Sequence, residues 1–259
     1  MAVALVTGGT SGIGAEFARQ LATRGWDIVL VARDLTRLDE TATALRALGR
    51  DVEVLAADLG DRRDVDRVAE RLADPTRPVD LLVNNAGFGM HTPLTSPDVA
   101  AHDLAFEVMC RAVLVLSGAA ARAMRERGHG RIVNVSSTAG LMAMGSYSAI
   151  KAWVTSYSEG LSVELRGTGV GVTALLPGWV RTEFHQRAGI KSSSIPNALW
   201  LSTEQLVVAC LRDVDKGKVI SMPTLRYKVL MGLVRHAPKG AVRAASAAIS
   251  SSRREPVGR

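Results

Sequence analysis

The sequence predicts an α/β fold: a doubly wound parallel sheet of the Rossmann type, in a single domain. A lid-like excursion near 179–200 and a basic helical C-terminal extension are expected to decorate it. Three observations lead there. Short β-branched runs alternate with longer helix-patterned segments up to about residue 222. Those runs are continuously apolar, as strands covered on both faces must be. A glycine-rich turn, "TGGTSGIG" at 7–14, directly follows the first of them.

Taken in order, "VALVT" (3–7) reads as a buried strand, with a helix near 12–24 after it. "DIVLVA" (27–32) is the second strand, and "DLTRLDETATALRAL" (34–48) is helical with Asp34 at its N-cap. "DVEVLAA" (51–57) precedes a charged helix near 61–73, and "VDLLVN" (79–84) is the fourth strand. A long helix over about 98–127 leads to "RIVNVS" (131–136). A helix over 146–166 leads to "GVTALL" (171–176), and "KVISM" (218–222) is a weaker last strand. Right-handed crossovers between such strands wind the sheet in both directions. Irregular Gly, Ser and Pro spacing marks 179–200 as a long loop of the kind that covers a site. The domain is expected to span 1–250, with 251–259 a disordered tail.

At 259 residues and 47% hydrophobic, the chain can bury one large core, and disordered classes are excluded. Cys110 and Cys210 show no metal-ligand spacing and fit a reducing compartment. The start "MAVALVTGGT" lacks the features of a signal peptide, and no apolar stretch is expected to approach the roughly 20 residues of a bilayer span. A soluble cytoplasmic protein is the expectation. The net charge of +7 is unevenly placed: residues 222–259 hold eight Lys/Arg and one acid, Glu255, which leaves a neutral body.

Gly8, Gly12 and Gly14 after the first strand let the backbone turn sharply and approach a pyrophosphate, with a helix N-terminus behind them. The second strand ends in Ala32 and Arg33. A carboxylate there would hold a ribose 2′-hydroxyl, whereas a guanidinium suits a 2′-phosphate, so NADP(H) is favoured over NAD(H). Asp58, at the end of the third strand, is placed to meet the adenine edge. Asn84 and Asn85 can tie neighbouring strands together, and Gly87 lets the backbone pass close to a ligand. Tyr147 and Lys151 lie four residues apart, on one face of a helix.

The ordered set TGxxxGxG, "NNAG" (84–87), a serine after strand five, YxxxK and "PGWVRT" (177–182) resembles the short-chain dehydrogenase/reductase family, from residue 3 to about 184. The resemblance implies Tyr147 as general acid/base, Lys151 as its tuner and holder of the nicotinamide ribose, and Ser137 rather than Ser136 as the hydroxyl that orients the substrate oxygen. A nearby ammonium is expected to pull the phenol toward the working pH. For the cofactor it implies Gly8, Thr10, Ser11, Gly12, Ile13 and Gly14 at the turn, and Arg33, Asp58 and Leu59 at the adenosine end. Asn84, Ala86 and Gly87 follow on strand four, then Tyr147 and Lys151, then Pro177, Gly178, Val180 and Thr182. Family members commonly form dimers or tetramers through the helices near 98–127 and 146–166.

Two departures stand out. The loop between Ser137 and Tyr147 is short, and Met109 stands where the family usually has an asparagine that supports a water and the active lysine. His91, His102 and His185 share no metal spacing, so surface or pocket-lining roles are expected and no metal site. Phe88, Leu141, Met142, Met144, Trp179, Phe184 and Trp200 are candidate pocket walls, which favours a lipophilic alcohol, aldehyde or ketone. Arg181 and Arg187 are the candidate clamps for an acidic substrate. A catalytic oxidoreductase is the first reading, and a cofactor-binding sensor or scaffold with little turnover the alternative. No nucleic-acid module accompanies the basic tail. Leu225, Val229, Leu233 and Ala237 recur at helical spacing in that tail, and Pro238 can start a second helix. A packed helix pair with a solvated basic face is the plain reading; weak peripheral contact with an anionic membrane is the other.

Overall fold

The computed structural model describes residues 1–90, 92–182 and 199–251. His91, Phe184, His185, Arg187 and the expected tail beyond residue 251 lie outside the described residues, as does most of the 179–200 excursion.

Seven parallel strands form one sheet: β1 (Val3–Thr7), β2 (Asp27–Ala32), β3 (Val52–Ala56), β4 (Leu81–Asn84), β5 (Gly130–Val135), β6 (Val170–Leu175) and, at the edge, the two-residue β9 (Ile220–Ser221). Their order is β3-β2-β1-β4-β5-β6-β9. The order reverses between β1 and β4, so a crevice opens at their carboxyl ends, where such sheets bind ligands. A separate parallel pair, β7 (Trp179–Val180) and β8 (Trp200–Leu201), joins Trp179 to Trp200 across the excursion.

Helices cover both faces, as the continuously apolar strands require. Ala4 and Val6 of β1 pack with Phe17 and Leu21 of α1 (Gly12–Thr23), Leu38 of α2 (Leu35–Arg46) and Leu206 and Cys210 of α7 (Thr203–Asp215). Leu5, between them in sequence, points the other way. It meets Val65 and Leu72 of α3 (Arg62–Ala73) and Leu116 and Met124 of α5 (Ala112–Arg127). Each fully buried Leu or Phe contributes about 1.5–3 kcal/mol of burial. Asp34 caps α2 as expected, accepting from Arg37 N at 3.1 Å.

Two expectations about helices are corrected. The expected long helix is broken by a single π turn, Glu107–Arg111, between α4 (Ala100–Phe106) and α5. The run Ala100–Arg127 also holds an 18-residue window of mean hydropathy 1.7, which is long and apolar enough by composition to cross a bilayer. Its apolarity has a local cause: 61% of that window is buried, with α5 packed against the sheet beside α3.

The C-terminal helices α8 (Leu225–His236) and α9 (Lys239–Ser251) are present, but α8 is rotated from the plain reading. Its buried residues are Tyr227 and Met231, while Leu225, Val229 and Leu233 face outward. Tyr227 sets the rotation, because its ring fits the space beside Gly178 that a side chain would otherwise fill.

Candidate active site

The glycine turn is built for close backbone approach. Gly8 N donates to Val31 O at 2.8 Å, and Asn85 Nδ2 donates to Thr7 O (3.0 Å) and Gly8 O (3.2 Å), which pins the turn to β4. A Cβ on Gly14 would overlap Gly8 O and Asn85 Nδ2, so only glycine lets the first turn of α1 close on the loop. Ser11, the N-cap of α1, makes no side-chain cap bond, unlike Asp34, Asp61, Ser202 and Thr224 at other helices. First-turn N–H groups and the positive dipole end therefore face the crevice with no side-chain cap, as an anion requires. Thr182 closes this mouth, its Cβ and Cγ2 lying 3.3 Å from where a Cβ on Gly12 would sit. Thr10, Ser11, Gly12 and Ile13 are half-buried around it.

At the adenosine end, Arg33 is 72% exposed and its Nη1 lies 3.8 Å from Asp58 Oδ2. Asp58 also accepts from Gly60 N at 2.9 Å. Three of the candidate cofactor residues spend their side chains on packing. Leu59 and Val180 are buried in the two core layers. Asn84 is buried in a polar ladder: its Nδ2 donates to Ser117 Oγ (3.0 Å) and to Asn134 Oδ1 (2.9 Å), and Asn134 Nδ2 donates to Ser158 Oγ (3.0 Å). The ladder ties β4, β5, α5 and α6 (Ser146–Glu164) into one rigid floor beneath the site. For a ligand these three residues offer backbone only.

Ser136 and Ser137 separate cleanly. Ser136 Oγ is buried and donates to Lys151 O at 2.6 Å. Ser137 is half-buried, accepts from Ala139 N at 3.1 Å, and hydrogen-bonds the Tyr147 phenol. Tyr147 and Lys151 share one face of α6. Lys151 Nζ donates to Val135 O at 2.9 Å and stands 5.7 Å from the centre of the Tyr147 ring. Ahead of them His102 Nδ1 pairs with Ser146 Oγ at 2.8 Å, so this histidine tethers α4 to the start of α6.

The electrostatics correct one expectation. The Tyr147 phenol is not pulled down toward neutrality: burial pushes it up to about 12, and the Ser137 hydrogen bond only partly offsets that. Burial also lowers Lys151, to about 8, with the Cys110 thiol acting in the opposite sense. The ammonium reaches a carbonyl behind the ring rather than the phenol oxygen, and so does little for the phenolate. A folded-state value below the 10.5 of a free lysine means burying the cation costs stability in full below pH 8. That cost fades as pH rises toward 10.5. Lys151→Met is therefore expected to gain about 1–2 kcal/mol at pH 7 once Val135 O's lost partner is counted, and to lose a similar amount near pH 11, where only that lost bond remains, by denaturant unfolding. A variant less stable than the parent at pH 7 would contradict this.

Met109 lies within the π turn and is buried, 1% exposed, against Ala105, Cys110 and Ile150. A Cβ on Gly87 would stand 3.0 Å from its sulfur and 3.8 Å from Lys151 Nζ, so this methionine puts an apolar group close to the lysine. Phe88 and Met90 pack on the same cluster as Tyr147. Trp179 and Trp200 instead pair with each other, 6.1 Å apart, and Arg181 lies over the Trp200 ring at 5.2 Å. Leu141, Met142 and Met144 are half-buried on the loop before Tyr147.

Sequence reasoning missed how the C-terminal helices complete the site. Tyr227 Oη accepts from Trp179 N at 2.9 Å and donates to Leu199 O at 2.7 Å, which holds the two flanks of the excursion together. Ser246 of α9 accepts from Ala143 N at 3.0 Å and so braces the loop before Tyr147. These partners are 48 and 103 positions away, beyond any local pattern.

The family model described as short chain dehydrogenase matches residues 2–192. Among curated relatives, a putative ketoacyl reductase of a monensin polyketide synthase, from Streptomyces virginiae, is 40% identical over 195 residues, covering 71% of this chain and 73% of its own. Among solved structures, a short-chain dehydrogenase from Sphingobium yanoikuyae in complex with NADPH superposes with a TM-score of 0.83 at 34% identity, over 100% of this chain and 98% of that one. A bulky-bulky ketone specific alcohol dehydrogenase from Comamonas testosteroni gives 0.78 at 30% identity, over 100% and 97%.

Proposed function

The chain belongs to the short-chain dehydrogenase family, and from that premise we propose that it interconverts a carbonyl and an alcohol on a lipophilic substrate, with NADP(H) as its cofactor. The observation that carries the reading is the Tyr147 phenol, hydrogen-bonded to Ser137 with Lys151 behind its ring. The open N-terminus of α1 and the glycine at 14 fit a dinucleotide pyrophosphate. When bound, the nicotinamide supplies hydride to the carbonyl carbon or accepts it from the alcohol.

The protein's own part is positioning and proton transfer. Ser137 orients the substrate oxygen and Tyr147 gives it a proton, or removes one in the reverse direction. A phenol pushed up to about 12 holds its proton at neutral pH, as a donor to the substrate oxygen must. Lys151 would hold the nicotinamide ribose and Thr182 the carboxamide. Phe88, packed on the Tyr147 cluster, and Met142 and Met144, on the loop before Tyr147, support a lipophilic substrate, as does similarity to the ketone-specific Comamonas enzyme. Screening bulky ketones with NADPH and identifying the alcohols formed tests the reading. Leu104, Phe106, Leu114 and Val163, exposed on α4, α5 and α6, support a homodimer or homotetramer through those helices.

Preference for NADP(H) rests on Arg33, whose loose pairing with Asp58 leaves its charge available to a 2′-phosphate. Arg33→Ala is expected to weaken NADPH roughly tenfold or more by titration and to leave NADH unchanged. Equal losses for both would show that Arg33 does not read that phosphate. A second reading, a cofactor-binding protein with little turnover, is favoured by Met109, which puts a thioether where a relay would use an amide.

A further inference from the structure

Helix α8 turns Leu225, Val229 and Leu233 into solvent at 75, 56 and 67% exposure. With Leu230 and Arg226 they line a shallow apolar groove of about 410 Å³. At about 100° per residue the three fall within roughly 80° of arc, with Lys228 and Arg235 along one edge and Arg226 along the other. No acidic residue occurs from Met222 to Arg254. Arg226, Lys228, Arg235, Lys239 and Arg243 are all exposed.

A soluble helix rarely leaves such a stripe uncovered. A second copy of the chain, related by a two-fold axis, would set this basic rim against itself. An anionic surface would neutralise it. We propose that the outward face of α8 docks the protein on an anionic membrane surface. Leu225, Val229 and Leu233 enter the acyl boundary, and the flanking Arg and Lys side chains extend to lipid phosphates. The opposite face of the same helix carries Tyr227, which bonds the turn at Trp179, so the docked surface and the mouth of the site share one rigid element.

Cosedimentation of the full chain with phosphatidylglycerol/phosphatidylcholine vesicles tests this, with pure phosphatidylcholine as the control. Binding is expected to the anionic vesicles only, falling steeply as salt shortens the screening length to about 10 Å at 0.1 M. The triple variant Leu225→Ser, Val229→Ser, Leu233→Ser is expected to lose it. Lys228→Gln with Arg235→Gln, which keeps the apolar stripe and so guards against misfolding of the first variant, is expected to lower partitioning roughly tenfold or more. Neither variant touches the buried Tyr227 face, so thermal unfolding should match the parent. No binding at low salt overturns the proposal, as does binding that survives both variants. So does a stripe whose loss abolishes self-association and leaves vesicle binding intact.

Discussion

Tyr147→Phe is expected to bind the cofactor as tightly as the parent and to lose roughly 10²–10⁴-fold in kcat. Phenylalanine preserves the ring that packs with Ile150 and Phe88 and removes only the hydroxyl proposed to protonate the substrate oxygen. The parent's pH profile should carry the same signature. Tyr147, pushed up to about 12, stays protonated across the working range, while Lys151, lowered to about 8, loses its charge above that point. Carbonyl reduction should therefore be level below pH 8 and decline above it. Turnover of the variant within a few-fold of the parent would remove Tyr147 as the acid. A reductive rate that climbs steadily through pH 8–10 would contradict the assignment of Lys151.

Gly178→Ala is expected to be nearly as damaging by a different route. A methyl group there would fall inside the Tyr227 ring, so either the turn 177–182 or α8 must move. Moving the turn carries away Val180 and Thr182 and breaks the Thr138 N to Pro177 O bond of 2.9 Å beside Ser137. Overpacking of this kind typically costs about 1–3 kcal/mol, and displacement of Thr182 should raise the cofactor's Kd as well. Tyr227→Ala alone loses the ring's packing and its two hydrogen bonds. The double variant opens the space the new methyl needs, so its loss should be well below the sum of the single losses in a thermodynamic cycle. Strict additivity would mean the two residues do not act on one another.

Much of this architecture was legible because it is written in local pattern. Continuous apolar runs such as "VALVT" and "DIVLVA" could only be strands covered on both faces, and both faces are covered. Asp34 ahead of a helical period could only be a cap, and it accepts from Arg37 N. Steric demands on glycine are also local, so the turn at 7–14 announced itself.

What escaped the sequence depended on distant partners or on burial. The π turn at Glu107–Arg111 has no residue signature, and it places Met109 and Cys110 against α6. The rotation of α8 followed from one contact, Tyr227 on Gly178, and no stripe of leucines reports it. The shift of Tyr147 ran opposite to expectation because spacing shows that Lys151 is near and not where its ammonium points. Asn84 was expected both to tie neighbouring strands and to serve the cofactor; its side chain makes the tie to Asn134, and the extension of that ladder to Ser117 was not legible.

The most direct measurement follows the hydride itself. The protein is mixed with NADPH deuterated at the transferring position of the nicotinamide and with a bulky, water-soluble ketone, and the products are resolved by mass spectrometry. An alcohol carrying one deuterium on the former carbonyl carbon is expected, formed by the parent and not by Tyr147→Phe. Tight NADPH binding with no deuterated alcohol from any ketone or aldehyde offered would contradict it and leave a protein that holds its cofactor without turning it over.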